Sequence, residues 1–208
     1  MKNYEVLFVD WPDIKKEGEK NEADNTNILY LYFNDKKRRE NMKFEKISAS
    51  QFLKDIKNCA PGLTEEAYIA LYDQLKLPRR ATSGSAGYDF YAPYAFKLEA
   101  GESIKIPTGI RVLLDNDKFL AIYPRSGLGF KFKLQIWNEI PVIDADFYNN
   151  PNNEGNIFIK LYNDSPEGKT VLVRQGEAFV QGVIQQYFKI DDDDVQTIRE
   201  GGIGSTNG

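Results

Sequence analysis

The fold is indicated most clearly by the stretch IRVLLDNDKFLAIY, residues 110–123. It holds two β-rich runs, residues 110–114 and 119–123, separated by the turn signal Asp115-Asn116-Asp117. From about residue 80 onward, similar runs and turn signals follow one another: β-rich runs at 103–106, 157–162, 170–173 and 179–184, and turns at 100–102 and 166–168. Many short strands at this spacing predict an all-β sandwich or barrel.

The first 77 residues have a different character. Residues 1–44 suggest a hairpin in which Val6–Val9 and Ile28–Phe33 form strands; the alternative for the first run is a disordered end. Residues 47–77 predict two short helices separated by Pro61-Gly62. We therefore expect a small α+β extension before the β-rich domain.

Both predicted helices carry start signals. Ser48 and Gln51 form a capping-box pattern, flanked by a staple-like apolar pair, Ile47 and Phe52. Thr64 can cap the second helix, again with a staple-like pair, Leu63 and Tyr68. The apolar stripes along these helices are read as packing faces, with a partner-binding role as the alternative.

Composition narrows the classes of function. A chain of 208 residues with 41% hydrophobic and 28% charged residues is typical of a globular protein. A net charge of −4 gives no general attraction to nucleic acid or anionic membrane, so neither partner is expected. The single cysteine, Cys59, excludes an internal disulfide and fits a reducing cytoplasm. No signal peptide and no membrane span is predicted.

The chain contains no histidine. Catalysis by Ser-His-Asp or Cys-His groups is therefore excluded, and so are the usual zinc sites. A general base must be Asp, Glu, Lys or Tyr. We expect any metal to be a hard cation held by oxygen, with Mg²⁺ favoured if a phosphate is the substrate.

Five short blocks of Gly, carboxylate, Arg and Ser punctuate the β-rich region. In chain order they are residues 86–90 (AGYDF), 124–129 (PRSGLG), 142–147 (VIDADF), 176–181 (GEAFVQ) and 201–206 (GGIGST). Together they offer a carboxylate base, amides able to cradle phosphate oxygens, and arginines suited to phosphate. This combination indicates hydrolysis of a nucleotide phosphate.

Each block taken alone also fits an ordinary structural role. Asp144 and Asp146 would point the same way in a strand, which is typical of a solvated edge as well as of a catalytic pair. Gln181 lies in an apolar strand, where its amide needs a partner whether or not it binds substrate. The Gly-rich tail from Arg199 could be a disordered terminus, or could close over phosphates.

In order and character the five blocks resemble the motifs of the trimeric dUTPases, over residues 78–208. The resemblance implies a jelly-roll-like β-barrel, a homotrimer with shared active sites, and a mobile C-terminal motif from about residue 196. It implies Mg²⁺-dependent hydrolysis of dUTP to dUMP and pyrophosphate. Residues 1–77 have no counterpart in the minimal family domain.

The resemblance also implies roles for individual residues. Asp144 is the general base that activates water, Asn138 reads uracil, Phe147 packs against the deoxyribose, and Asp89 reaches Mg²⁺ through water. The substrate-binding residues it implies are Arg125, Ser126, Gly127, Asn138, Val142, Ile143, Phe147, Phe158, Gln181, Arg199, Ile203, Gly204 and Ser205.

The sequence departs from the family pattern at several positions. Pro141 replaces a usual Gly, Ala178 a usual Arg, and Ile203 the Phe that stacks on uracil. Residues 148–154 look like an insertion, and Arg199 stands closer to the following Gly pair than in most members.

Two other functions are alternatives to dUTP hydrolysis. A dCTP deaminase on the related fold uses a Glu where this chain has Lys160, which disfavours deamination. The second alternative is a nucleotide-sensing regulatory or binding protein, in which residues 1–77 would be the interaction module.

Overall fold

The computed structural model describes residues 42–197, 199 and 201. Both strands of the predicted N-terminal hairpin lie outside these residues. The strands are β1 (Lys43–Lys46), β2 (Arg79–Arg80), β3 (Tyr88–Tyr91), β4 (Phe96–Leu98), β5 (Ser103–Pro107), β6 (Ile110–Leu113), β7 (Lys118–Pro124), β8 (Leu134–Ile136), β9 (Val142–Asp144), β10 (Phe158–Asn163), β11 (Val171–Val173) and β12 (Ala178–Gln186). The helices are α1 (Ala49–Cys59), α2 (Glu65–Asp73) and α3 (Ser126–Phe132), with a 3-10 turn at Ala145–Phe147.

Antiparallel pairing arranges the described strands in four sheets. Their strand orders are β2-β3-β12-β7-β9, β5-β10-β8, β11-β4 and β1-β6. β7 is paired on both sides, with β12 from Val180↔Pro124 to Gln186↔Lys118 and with β9 from Phe119↔Asp144 to Ala121↔Val142. This strand therefore connects two of the predicted motif blocks.

The inner faces of these sheets share one apolar core. Alternate side chains of β10, including Ile159 and Leu161, are fully buried, and Phe90, Ile122 and Phe179 from other strands belong to the same cluster. Such alternation is expected when one face of each strand packs inward. The predicted mainly β architecture is confirmed, and each of the six β-rich runs named from the sequence forms a strand.

The two predicted helices also form. Ser48 caps α1 by accepting a hydrogen bond from the Gln51 amide at 3.2 Å. Thr64 caps α2 in the same way, through the Ala67 amide at 3.3 Å. At the predicted apolar staple of α2, Leu63 is half-exposed, and its amide donates to the Tyr68 hydroxyl at 3.3 Å. No helix in the described part of the chain is long and apolar enough to cross a membrane.

The helices pack onto the barrel at the turn between β5 and β6. Phe52 and Leu75 belong to a second buried cluster and close over Gly109, which has φ +72°. Beside this contact, Asn156 accepts from the Gly109 amide at 2.9 Å and donates to Asp55 at 2.7 Å. The division of the chain at residues 77/78 stays a prediction; residues 42–77 contact the barrel directly.

Candidate active site

An open groove of about 810 Å³ lies where β3, β12 and β7 run side by side. Register sets Asp89 opposite Gln181, and Gln181 opposite Tyr123. The groove is lined by Ser85, Ala86, Gly87, Tyr123, Pro124, Arg125, Ser126, Gly129, Phe130, Gln181 and Val183. Residues from three of the five sequence blocks, which are far apart along the chain, thus meet at one place. We call it the arginine groove.

Arg125 is held in this groove by its neighbours. Its Nε lies 3.1 Å from Oδ1 of Asp89, and its Nη1 donates to the Ala178 carbonyl at 3.4 Å. The second contact is a long one, and it is made by the backbone of the residue that replaces the family's Arg. An arginine braced by a carboxylate is oriented for charge-assisted contacts with an anion.

The side-chain amide of Gln181, which is partly buried, has a hydrogen-bond partner. Its Nε2 donates to the Pro124 carbonyl at 3.2 Å. Gly87 allows this close approach, because a Cβ there would stand 2.5 Å from the Gln181 side-chain oxygen. Near Ser126, no atom lies within 4 Å of where a Cβ at Gly127 would point, so the chain there faces open space. The geometry leaves room for a bound group beside Arg125.

A second group of functional side chains lies at the end of β9. Arg199 donates to Asp144 from Nη2 at 2.6 Å and to Asp146 from Nε at 2.8 Å. Its guanidinium also lies 5.8 Å from the ring centre of Phe147, and its side chain is only 13% exposed. These four residues form the carboxylate cluster. Asp144 and Asp146 face the same cation although Asp144 ends a strand and Asp146 lies in the 3-10 turn.

Burial changes the chemistry of Asp144. Desolvation raises the pKa of its carboxyl, the positive charge of Arg199 opposes this, and the negative charge of Asp146 adds to it. The net result is a pKa above the ordinary value for aspartate. A carboxylate whose pKa is raised in this way is a stronger base than an exposed one, and perturbed carboxyls are typical of functional sites.

The segment between β8 and β9, two strands of different sheets, carries the residue predicted to read uracil. Asn138 is exposed in this turn, and Val142 is 53% exposed at the start of β9. Ile143 is buried in the core, so only its backbone is available to a ligand. Phe158, at the start of β10, is half-buried with the Lys105 ammonium 4.5 Å from its ring centre. Phe147 is also mostly buried, at 5% exposure, and Arg199 lies over its ring.

Within one chain the arginine groove and the carboxylate cluster are far apart. Asp144 pairs with Phe119 at one end of β7, whereas Arg125 directly follows the other end. Six residues of strand separate these positions, which corresponds to about 20 Å. The structure therefore brings Asp89, Arg125 and Gln181 together, and Asp144, Phe147 and Arg199 together, but does not unite the two sets.

Sequence reasoning missed the contacts that define each cluster. The Asp89–Arg125 pair joins positions 36 apart, and the Arg199 contacts join positions more than 50 apart. The two carboxylates spaced by one residue were the available signal for a bound cation. Of the remaining predicted site residues, Ile203, Gly204 and Ser205 lie outside the described part of the chain.

Fold and clusters together define a jelly-roll-type barrel with a groove lined by Arg125 and a separate half-buried carboxylate. The chain belongs to the dUTPase family, whose model matches residues 73–207. Family and fold predicted from the sequence are thereby confirmed.

Known proteins similar to this chain are named as members of the same family. Over 134 residues the chain is 39% identical to a deoxyuridine 5'-triphosphate nucleotidohydrolase of Lactococcus lactis subsp. lactis, covering 64% of this chain and 88% of that one. It is 38% identical over 141 residues to the enzyme of the same name from Dictyoglomus turgidum, covering 64% and 90% of the two chains. The crystal structure of a dUTPase from Streptococcus mutans superposes with a TM-score of 0.54 at 34% identity, covering 72% of this chain and 98% of that one.

Proposed function

We propose that this protein hydrolyses dUTP to dUMP and pyrophosphate. The observation that carries the proposal is the meeting of Arg125 and Gln181 in one groove, with Asp89 paired to Arg125 beside it, in a chain of the dUTPase family. The groove offers a braced guanidinium for a phosphate chain, and the chain holds a half-buried carboxylate, Asp144, suited to a general base.

The reaction begins with water held by Asp144. The carboxylate removes a proton from this water as its oxygen attacks the α-phosphorus, and pyrophosphate leaves on the opposite side. Arg125 balances charge on the phosphate oxygens, and backbone amides of Ser126 and Gly127 assist it. Arg199 must move off Asp144 before this proton transfer, because its contact occupies the carboxylate. The tail that carries Arg199 is then free to bind the phosphates.

Mg²⁺ is the proposed cofactor. Within the described residues no three carboxylates, cysteines or histidines are placed to hold a metal ion. A single carboxylate beside the groove, that of Asp89, suits Mg²⁺, which commonly keeps several waters and takes few protein ligands besides substrate phosphates. Asp89 would hold it through water, and the ion would supply positive charge to the phosphate oxygens.

The proposed active enzyme is a homotrimer with active sites shared between subunits. The separation of about 20 Å along β7 supports this, because one chain cannot apply Asp144 and Arg125 to the same phosphate group. A second subunit would bring its carboxylate cluster to the arginine groove of the first. We also propose a cytoplasmic location, since the single cysteine, Cys59, excludes an internal disulfide.

Substrate specificity is assigned to the segment between β8 and β9 and to the residues after β9. Asn138 would pair with uracil, because an amide side chain can both donate to and accept from the base edge. Phe147 would pack against the deoxyribose and exclude a 2'-hydroxyl. Lys160 stands where a deaminase needs a carboxylate, with its ammonium 3.6 Å from the ring centre of Trp137, so deamination remains disfavoured.

The second candidate is a nucleotide-sensing protein that binds dUTP without turnover. The Arg199 contact favours it, because this cation neutralises the proposed base in the described structure. The deciding experiment measures pyrophosphate and ammonia release from dUTP, UTP, dTTP and dCTP in parallel, with Mg²⁺. Pyrophosphate from dUTP alone supports hydrolysis. Binding of dUTP without any release supports the sensor, and ammonia from dCTP supports a deaminase.

A further inference from the structure

The insertion after Phe147 is an ordered element of the fold. We call residues 148–154 (YNNPNNE) the asparagine loop. Asn150 is buried, and its Nδ2 donates to the Phe147 carbonyl at 2.8 Å. Its Oδ1 accepts from the amides of Asn152 and Asn153 at 3.1 and 3.2 Å. The loop thus closes on itself and fixes the backbone of Phe147.

Gly155 completes this closure. It has φ +82°, and a Cβ at this position would come within 2.8 Å of the Phe147 carbonyl oxygen. The chain therefore leaves the loop directly beside the residue at which it entered. Any movement of the loop must be transmitted to the Phe147 backbone.

The outer side of the loop is bound by two charged residues from neighbouring strands. β1 and β6 pair so that Glu45 faces Arg111. Arg111 donates from Nε to Glu45 at 3.2 Å and from Nη1 to the Asn149 side chain at 3.1 Å. Its guanidinium stacks 4.8 Å from the ring centre of Tyr148, whose hydroxyl donates to Glu45 at 2.6 Å.

This arrangement places two anchors around one functional residue. Tyr148, held by Glu45 and Arg111, directly follows Phe147 in the chain. Asn150 holds the Phe147 carbonyl from the other side. Neither Glu45 nor Arg111 belongs to any of the five sequence blocks. Steric exclusion of a hydroxyl depends on placing the ring to within about 0.5 Å, so anchoring residues of this kind control selectivity.

We propose that Glu45 and Arg111 are positioning residues that hold Phe147, through Tyr148 and Asn149, and thereby set discrimination between deoxyribose and ribose nucleotides. The inference rests on the proposed role of Phe147. It gives β1, at the start of the described chain, a role in substrate selection, although β1 lies outside the five blocks.

The test is the selectivity ratio, the kcat/KM for dUTP divided by that for UTP. Arg111→Gln removes the charge that joins Glu45, Tyr148 and Asn149, and Tyr148→Phe removes only the hydroxyl. We expect the ratio to fall by about tenfold or more in Arg111→Gln, and by less in Tyr148→Phe. Arg111→Lys should recover part of it, because the positive charge is kept while the two-pronged geometry is lost.

The matched control is Glu99→Gln, which removes a carboxylate that contacts Lys97 and Thr170 in the β4–β11 sheet. Its ratio should stay that of the unsubstituted protein. Melting temperatures are measured for every variant. A fall in melting temperature with an unchanged ratio in both Arg111→Gln and Tyr148→Phe would show a purely structural role and overturn the inference. Tyr148→Phe keeps the test valid if Arg111→Gln does not fold.

Phe147→Ala tests the sugar contact of Phe147 separately from the positioning role of Glu45 and Arg111. If it leaves the ratio unchanged, the proposed sugar contact fails and the positioning role fails with it. If it lowers the ratio while the Arg111 and Tyr148 variants do not, only the positioning role fails. When Arg111 acts through Phe147, the double variant Phe147→Ala/Arg111→Gln should be no less selective than Phe147→Ala alone.

Discussion

At the scale of single residues, the site depends on how one half-buried carboxylate is kept charged. Partial burial at the end of β9 raises the pKa of Asp144, and the charge of Arg199 partly offsets this effect. Arg199 is also the cation that covers the carboxylate. One arginine therefore tunes the proposed base and must leave it before the base can act.

The pH dependence of the reaction follows from this arrangement. The base is active when deprotonated, so activity falls as the pH drops through the pKa of Asp144. Because that pKa is raised, the acid limb of kcat/KM should lie above the ordinary range for aspartate. Arg199→Gln removes the opposing charge and should move the limb to still higher pH. Asp146→Asn removes a like charge and should move it the other way.

Profiles of kcat/KM against pH for the three proteins check this, because kcat/KM reports the free enzyme. Identical acid limbs in all three would remove Asp144 as the titrating group. A limb that moves down in Arg199→Gln would contradict the sign of the charge effect.

At the scale of elements, Gly109 allows the close packing of α1 and the segment after α2 against the barrel. Gly109 needs a positive φ, and a Cβ there would lie 2.5 Å from Leu75 and 2.9 Å from Phe52. Gly109→Ala should destabilise the fold by about 2–4 kcal/mol, from backbone strain plus overpacking. Gly101→Ala is the matched control, since Gly101 has φ +86° with open space around it.

Denaturant unfolding of both variants separates the two costs. Gly101→Ala should lose only the backbone part, on the order of 1 kcal/mol. Equal losses in the two variants would show that Phe52 and Leu75 move aside at no cost, and that the contact between helices and barrel is loose.

The pairing of β1 with β6 should make stability depend on acid pH. Hydrogen bonds from Lys43 and Tyr148, aided by the charge of Arg111, lower the pKa of Glu45 from 4.5 to about 2. A group whose pKa is lowered on folding stabilises the protein above its unfolded pKa and loses that contribution as the pH falls. Melting temperature should therefore drop between pH 4.5 and about 2 more steeply in the unsubstituted protein than in Glu45→Gln.

Parallel slopes for the two proteins would mean that Glu45 titrates alike in the folded and unfolded chain. Glu139→Gln, at an exposed position between β8 and β9, is a control for the general loss of a carboxylate.

Elements were predictable from the sequence where the signal is local. The caps at Ser48 and Thr64 and the long apolar run of β7 depend on neighbours a few residues away. β4 and β8, each of three residues, were not predicted from the sequence, whereas the equally short β11 was. The site residues were recognisable as types, but their partners were not, because contacts such as Asp89–Arg125 depend on strand register.

At the scale of the whole molecule, the separation of base and phosphate groove has a direct consequence. Asp144 lies beside one end of β7 and Arg125 follows the other end, so the proposed shared site would take Asp144 from one subunit and Arg125 from another. Two variants that are each inactive can then complement one another. Asp144→Asn keeps an intact arginine groove, and Arg125→Ala keeps an intact base.

Co-expression of Asp144→Asn and Arg125→Ala chains with different affinity tags should therefore restore activity in the doubly purified oligomers. In each mixed trimer about one third of the proposed shared sites would carry both native residues, because one of the three neighbouring pairs joins an Arg125→Ala chain that supplies Asp144 to an Asp144→Asn chain that supplies Arg125. Pure Asp144→Asn should bind dUTP with turnover lowered about 10²- to 10⁴-fold, and pure Arg125→Ala should bind it weakly. Pre-assembled oligomers mixed without subunit exchange should stay inactive. If verified mixed oligomers also stay inactive, the site is not shared in this way, and a single chain must bring Arg125 and Asp144 together by a rearrangement of β7 and β9.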